Sequence, residues 1–331
     1  MNLSPLVSLI ITNYNRAGMV ERAILSALDQ DYPNLEIVIS DNLSTDCSDE
    51  VIKKYLSDSR VVYNRNKENI GMINNFRRAT YEIAKGDYIT YVNSDDYLVN
   101  KSFISEAIDI INRHGKMDLV FGRMGFDSTT NNVLWQTPEK PYFIRETWDG
   151  KEVFFKSTQT WLFSWGACLM KKSAMMSVRA IAEDYHNIDF DSNYKIMLNS
   201  EVGFVNSLCY MQVGHEENAG FPINSDKIIH SLKCFENIAN YGIEQYPQLE
   251  KEFNKWKDHF ILFTIKIAFH SLIEKNKVEY KKFKREVKAI YPKLYSVQIS
   301  SWSYKRMILL YPVKLLVSPK MRARIRKVFI K

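Results

Sequence analysis

The 331 residues are 46% apolar and 13% aromatic, enough to bury a full core, which excludes disordered and fibrous classes. Four scattered cysteines, Cys47, Cys168, Cys209 and Cys234, form no Cys-x-x-Cys pair, so they predict reduced thiols in a cytosolic protein and no zinc or redox centre. The net charge of +7 is unevenly placed: from Lys281 to Lys331, 15 Lys or Arg face Glu286 alone, a basic end on an acidic body.

The first residues run into an apolar stretch without a basic segment or a small-residue cleavage site, which predicts a cytoplasmic location. The most apolar later stretches, 260–273 and 307–317, are short and carry Lys266, His270 and Lys314. A spanning helix needs about 20 mostly apolar residues, so none is expected.

In chain order, residues 7–12 read as a buried strand. Met19, Val20, Ala23, Ile24, Ala27 and Leu28 then share one face of a helix that stops near Asp31-Tyr32-Pro33. A second strand, 36–40, ends at Asp41. Ser44 or Asp46 caps a helix to about Leu56, residues 61–63 form a short strand, and 72–84 form a helix closed by Gly86. Residues 88–92 are the next strand. This alternation predicts parallel strands joined by crossover helices.

Past Lys116 the pattern loosens to a strand at 118–122, an irregular Trp- and Tyr-rich stretch to about Gly166, and a helix near 185–198. A strand at 202–205 precedes Tyr210-Met211-Gln212-Val213-Gly214-His215. From Asp226 the patterns are helical almost to the end. The expected domains are therefore 1–225 and a helical region, 226–331, with a basic amphipathic tail.

Polar residues gather where the strands run out: Thr12-Asn13-Tyr14-Asn15, Ser40-Asp41-Asn42 and Asn93-Ser94-Asp95-Asp96. Open parallel sheets bind ligands outside the carboxyl ends of their strands, so these loops predict a nucleotide site. Adjacent carboxylates there are costly without a positive charge among them, and a divalent cation supplies it. Magnesium or manganese bind through one or two carboxylates and complete their shells with diphosphate oxygens and water. The plainer reading is a surface turn that caps the next helix. Asp41 either accepts hydrogen bonds from a base or ribose, or serves as an Asx-turn acid. Asn69-Ile70-Gly71 joins the site or simply turns the chain before a helix, with Gly71 supplying an unusual backbone angle.

Taken together, four segments resemble the family 2 glycosyltransferases in order, spacing and context, over roughly residues 6–216. They are Val7-Ser8-Leu9-Ile10-Ile11-Thr12-Asn13-Tyr14-Asn15-Arg16, Glu36 through Asp41-Asn42-Leu43-Ser44-Thr45-Asp46, Asn69-Ile70-Gly71, and Gly86-Asp87-Tyr88 through Asn93-Ser94-Asp95-Asp96. The resemblance implies the GT-A fold, an α/β, Rossmann-like and mostly parallel sheet flanked by helices, here with a C-terminal helical basic appendage. It implies an inverting, metal-dependent transfer of a sugar from a nucleotide-sugar donor, UDP-sugar favoured, to a hydroxyl of a glycan acceptor.

By that resemblance Thr12 and Tyr14 pack around the nucleobase, Asp41 binds base or ribose, and Asn13, Arg16, Asn69, Gly71, Asn93 and Ser94 complete the donor site. Asp95 is the main ligand of Mn2+ or Mg2+. Asn93 departs from the first acid of the Asp-x-Asp motif and adds no charge, so the metal leans on another ligand. His215 is the candidate, although a lone His in such a turn is otherwise polar surface. Related enzymes carry their general base in a Glu-Asp pair opening a helix. Ile188-Asp189-Phe190-Asp191 fits that register and makes Asp189 the base; Asp184, in Glu183-Asp184, ranks second and Asp191 third, and the plain alternative for each is a helix cap. Trp165 and Gly166 offer an acceptor sugar an aromatic face and close backbone approach, or else pack in the core.

In the tail, Lys305, Arg306, Lys314, Lys320, Arg322, Arg324, Arg326 and Lys327 alternate with apolar residues such as Trp302, Ile308, Leu315 and Phe329. Such a stretch buries apolar groups at a lipid boundary while its cations meet anionic headgroups, at about 1 kcal/mol each. The expectation is a peripheral enzyme on the cytoplasmic face of the inner membrane, acting on a glycan or lipid-linked glycan in O-antigen or capsule synthesis. A packing appendage and a nucleic-acid patch are the rival readings, and the apolar content argues against nucleic acid. Two other functions compete. A sugar nucleotidyltransferase carries a Gly-rich loop after its first strand, where this chain has only Gly18; a catalytically degenerate nucleotide-sugar binding protein is suggested by Asn93 and by the missing Glu before Asp189.

Overall fold

Strand β1 (Val7–Asn13) is buried from Val7 through Ile11, as a strand covered on both faces must be. Helix α1 (Ala17–Leu28) follows, its buried face formed by Val20, Ala23, Ile24 and Ala27. Then come β2 (Leu35–Asp41), a short α2 (Ser48–Lys53), β3 (Val61–Arg65), α3 (Met72–Arg78) and β4 (Tyr88–Asn93). In this computed structural model the described residues are 4–115, 117–128, 133–136, 145–159, 165–185, 187–215, 224–301 and 304–305. Two compact units divide the chain, Met1–Asn218 and Ala219–Lys331, the division falling seven residues ahead of the expected 225/226 boundary.

The first unit continues through β5 (Tyr97–Leu98), α4 (Phe103–His114), β6 (Met117–Ser128), β7 (Val133–Gln136), β8 (Thr147–Asp149) and α5 (Gly150–Lys156). It ends with β9 (Cys168–Lys171), α6 (Lys172–Ser177), α7 (Ile188–Asn199) and β10 (Glu201–Gly214). The described strands form one sheet in the order β3-β2-β1-β4-β9-β6-β10-β5, with β7 on β6 and β8 on β10. Strands β3, β2, β1 and β4 are parallel, and so is the β6–β10 pair. Between β4 and β6 lies β9, antiparallel to both, so the sheet is mixed beyond β4.

One face of the parallel half carries Val7, Leu9, Ile11, Ile37, Ile39 and Val92, packed with α1 and with Phe103, Ile104 and Ala107 of α4. Burying each large apolar side chain contributes about 1.5–3 kcal/mol, so this layer holds the sheet ends in place. The opposite face admits polar groups. Buried Glu36 accepts the Ser8 hydroxyl and the N–H of Lys85 and Gly86, which ties the entry to β4 against β1 and β2. Gly86 is required there, because a Cβ would sit 2.5 Å from the Ser8 nitrogen.

Local structure departs from expectation at several places. The helix expected at 72–84 is α-helical only to Arg78 and continues as a π-helix over Ala79–Ile83. Helix α2 starts at Ser48, because the Ser44 hydroxyl bonds Asp41 and the Asp46 carboxylate accepts from both Ala17 N and Ser48 N. The strand expected at 202–205 runs on to Gly214, with register shifts between Val205 and Tyr210.

The second unit is helical through α8 (Ser225–Gln245), α9 (Glu250–Lys275), α10 (Lys277–Ile290) and α11 (Pro292–Ser300). Asn224 caps α8 and Asn276 caps α10 through their side-chain oxygens. Phe235, Trp256 and Phe260 form an aromatic cluster with centroids 4.8–6.1 Å apart. No helix of the described residues is long and apolar enough to cross a membrane. The tail from Arg306 onward lies outside the described residues.

Candidate active site

The sheet reverses its winding between β1 and β4: β2 lies on one side of β1 and β4 on the other. Such a switch point opens a crevice at the carboxyl ends of the strands. Register places Thr12 beside Asn93 across it, and Asn13 beside Asp41 on the other flank. The three polar clusters singled out in the sequence therefore meet at one end of the sheet.

The loops after β1 and β2 are laced together. Asn13 Nδ2 donates to Asp41 Oδ1 at 2.8 Å and to Ser44 Oγ at 3.2 Å. Ser44 donates its hydroxyl and its N–H to the two Asp41 oxygens, and Arg65 stands 3.7 Å from Oδ2. Asp41 is fully buried, so it sits behind the crevice surface and orients Asn13 and Ser44. Asn15, in the left-handed backbone region, accepts from Thr45 N while its own N–H donates to Ser44 Oγ. The cross-bonding leaves the Tyr14 ring outside, 44% exposed, and Arg16 half-buried at the start of α1.

A second network supports Asn69 and Gly71. Asn42 donates to Asn69 Oδ1 at 2.7 Å and accepts from Ile70 N and Asn66 Nδ2. Asn66 and Ser40 both donate to Asn75 Oδ1. Gly71 has φ of +81°, the backbone angle anticipated from sequence. Arg77 donates to the carbonyls of Ile181 and Ala182.

At the end of β4, Asp95 Oδ2 lies 3.1 Å from His215 Nε2, joining residues 120 positions apart. Both are largely shielded, and Arg22 of α1 donates to the Asp95 carbonyl while stacking over Tyr97. Ser94 is buried beside them. Among the described residues no group of three or more His, Cys, Asp or Glu gathers here or elsewhere. One carboxylate and one imidazole still suit a divalent ion that draws its remaining ligands from diphosphate and water, manganese better than magnesium.

The second acid of the pair behaves differently. Asp96 is 2% exposed and accepts the Tyr210 hydroxyl, the Val213 N–H at 2.7 Å and Asn93 Nδ2 at 3.0 Å. Burial and the neighbouring Asp95 charge push its carboxyl up to about 6 against the pull of those bonds. Sequence reasoning took Asp95 and Asp96 together and gave Tyr210 no role. Gly166, expected near acceptor, lies against Tyr210, where a Cβ would fall 2.0 Å from Cε2. Trp165 opens the same short 3-10 turn, Trp165–Ala167.

Three acids were candidates for the base. Asp184 is 73% exposed at its side chain and pairs with Arg77 at 3.5 Å. Asp191 is buried and held by Lys195 at 2.8 Å. Asp189, in the first turn of α7, accepts only backbone N–H bonds, and burial raises its carboxyl to about 6. Burial, and after it the Asp189 charge, raises the Cys168 thiol, whose strand β9 runs beside β4. Of the three, Asp189 alone combines a carboxyl raised by burial with no cationic partner among the described residues.

A parallel switch-point crevice flanked by a mixed sheet extension defines an α/β protein of the GT-A type. The profile of Glycosyl transferase family 2 matches residues 8–179, more than half of the chain, and the chain belongs to that family. The resemblance read from the sequence is thereby borne out at the level of the family. The chain is similar to chondroitin synthase of Pasteurella multocida, 27% identical over 77% of this chain and 26% of that protein. It is also similar to the Escherichia coli UDP-Glc:alpha-D-GlcNAc-diphosphoundecaprenol beta-1,3-glucosyltransferase WfaP, 42% identical over 28% of this chain and 37% of that one. The chain thus spans about a quarter to two fifths of these two relatives. In structure it resembles S. aureus TarS 1–349 in complex with UDP-GlcNAc, with a TM-score of 0.65, 15% identity, and 93% and 92% of the two chains covered. Mannosyltransferase PcManGT from Pyrobaculum calidifontis, in complex with GDP-Man and Mn2+, gives a TM-score of 0.53 at 16% identity, with 94% and 87% covered.

Proposed function

We propose that the protein moves a sugar, with inversion, from a nucleotide-sugar donor to a hydroxyl of a lipid-linked glycan in surface polysaccharide synthesis, using Mn2+ or Mg2+. The observation that carries this reading is the Asp95–His215 pair at the β1/β4 crevice, 3.1 Å apart, with Asp189 set on a separate helix. Asp95 and His215 would hold the ion. A divalent ion there offsets the negative charge that develops on the leaving diphosphate. Thr12 and the exposed Tyr14 ring receive the base, UDP favoured, on a floor braced by Asn13 and Asp41. Arg16, Asn69, Gly71 and Ser94 border the rest of the donor. Asp189 takes the acceptor proton; a carboxyl raised to about 6 is a stronger base than an ordinary one and is still ionised at neutral pH. Trp165 is the proposed aromatic face for the acceptor.

The named donors of the structural neighbours and the lipid-diphosphate acceptor in the WfaP name support the substrate classes. The basic tail and the exposed cations of α10 support a place on an anionic membrane surface at the cytoplasmic face. The test is nucleotide release from a panel of UDP-, GDP- and dTDP-sugars by the full chain, with and without manganese, followed by proton NMR of the product anomer. Metal-dependent release from one donor with inverted configuration is expected. Full turnover in excess chelator, or retained configuration, would sink the reading.

A further inference from the structure

Asn93 stands where the Asp-x-Asp motif begins with an acid, and its surroundings give the amide a different task. Its Nδ2 donates to Asp96 Oδ2 at 3.0 Å and lies 3.4 Å from the Tyr210 hydroxyl. The same Oδ2 accepts the Tyr210 hydroxyl, and Oδ1 accepts the Val213 N–H. The donors to Asp96 therefore come from the ends of β4 and β10. Asp95 immediately precedes the acceptor of these bonds, and His215 follows Val213 by two residues. Gly166 closes the back of the Tyr210 ring, leaving it no room to shift that way.

We propose that Asn93, Asp96 and Tyr210 are positioning residues that set the separation of Asp95 and His215, and that Asn93 serves as hydrogen-bond donor and not as metal ligand. The inference rests on the reading of Asp95 and His215 as the metal-holding pair. An ionised acid at position 93 has no proton to donate to Asp96, so the bond that Asn93 makes would be lost. Restoring the family's acid with Asn93→Asp should therefore weaken metal binding.

The experiment measures manganese binding to the full chain by loss of the free-ion EPR signal, with manganese alone and with manganese plus UDP, beside circular-dichroism melts. Residues behind a metal ligand typically govern affinity by about 10–100-fold. Asn93→Ala and Asn93→Asp should each weaken binding by about tenfold. Asn93→Asp at or above the wild-type affinity overturns the proposal and makes position 93 a ligand. Should Asn93→Asp fail to fold, Tyr210→Phe decides: weaker binding with the fold retained supports the cluster, and unchanged affinity overturns it. Asp95→Ala separates the two levels. If it binds manganese like the wild type, the metal reading fails and this inference with it; if it loses binding while Asn93→Asp tightens, only this inference fails.

Discussion

Burial raises the carboxyl of Asp189, the proposed base, to about 6, so its protonation falls inside an accessible pH range. Below that value it carries the proton it would need to accept, so kcat/KM should decline as pH falls through about 6. Asp189→Asn should remove this limb and lower turnover by about 10²–10⁴-fold while leaving donor affinity unchanged. Asp184→Asn is the control, and a loss confined to that variant would move the base five residues upstream. Stability carries the opposite signature. The folded state holds this proton at higher pH than the unfolded chain does, so stability is lost as pH rises from about 4 through 6. Asp189→Asn should therefore raise Tm more at pH 7 than at pH 4, which thermal melts at the two values would check. Asp95→Ala, by contrast, should abolish metal-dependent turnover and donor binding in manganese alike. At this scale the motif made Asp95 legible and its missing acid pointed to His215. The Asp96–Tyr210 bond was not legible, because it joins residues 114 positions apart through a strand whose length the sequence does not show.

Elements hold these residues at their distances, and two of them are open to test. Arg77 and Tyr81, on α3 and the π-helix after it, donate to the carbonyls of Ile181, Ala182 and Ala180. Arg179 and Ile181 in that segment have positive φ, a conformation costing about 1–3 kcal/mol that its surroundings must enforce. The segment leads into α7 and Asp189. Arg77→Ala should lower kcat more than donor affinity and reduce hydrogen-exchange protection over 179–184; unchanged exchange would show that the clamp is dispensable. Gly166→Ala should force the buried Tyr210 ring away, at about 1–3 kcal/mol of overpacking, seen as a lower Tm. The parallel strands were readable because each is a short, mostly apolar run, and α1 because its apolar residues keep the helical period. The four residues of β9 are too few for any period to show. Register shifts near Asn206 and Ser207 break the alternation of β10, and they hid its reach to Gly214. Helix α4 is the reverse case: Phe103, Ile104, Ala107, Ile108 and Ile111 keep a helical period, yet the reading assigned nothing there.

Over the whole molecule, charge is the property that sequence alone exposes most directly, since no packing changes how many cations follow Lys281. Helix α10 already shows the pattern within the described residues: Lys277, Lys281, Arg285 and Lys288 are exposed, with Val278 76% exposed among them. After Ser301 come nine further Lys or Arg and no acid. A surface that engages anionic lipid gains about 1 kcal/mol per cation, so three engaged cations account for roughly 100-fold in affinity. The full chain should cosediment with vesicles containing phosphatidylglycerol at low salt and fall off as ionic strength shortens the screening length. Removing residues 302–331 should weaken that binding by about 100-fold or more while donor hydrolysis in solution is kept, because the candidate site lies wholly in the first unit. A triple variant, Lys281→Glu with Arg285→Glu and Lys288→Glu, separates the helix from the tail. If it alone releases the protein, α10 carries the contact; if only the truncation does, the tail carries it. Failure of the intact protein to bind anionic vesicles at low salt would leave the basic end as a solvated surface and remove the membrane from the proposed function.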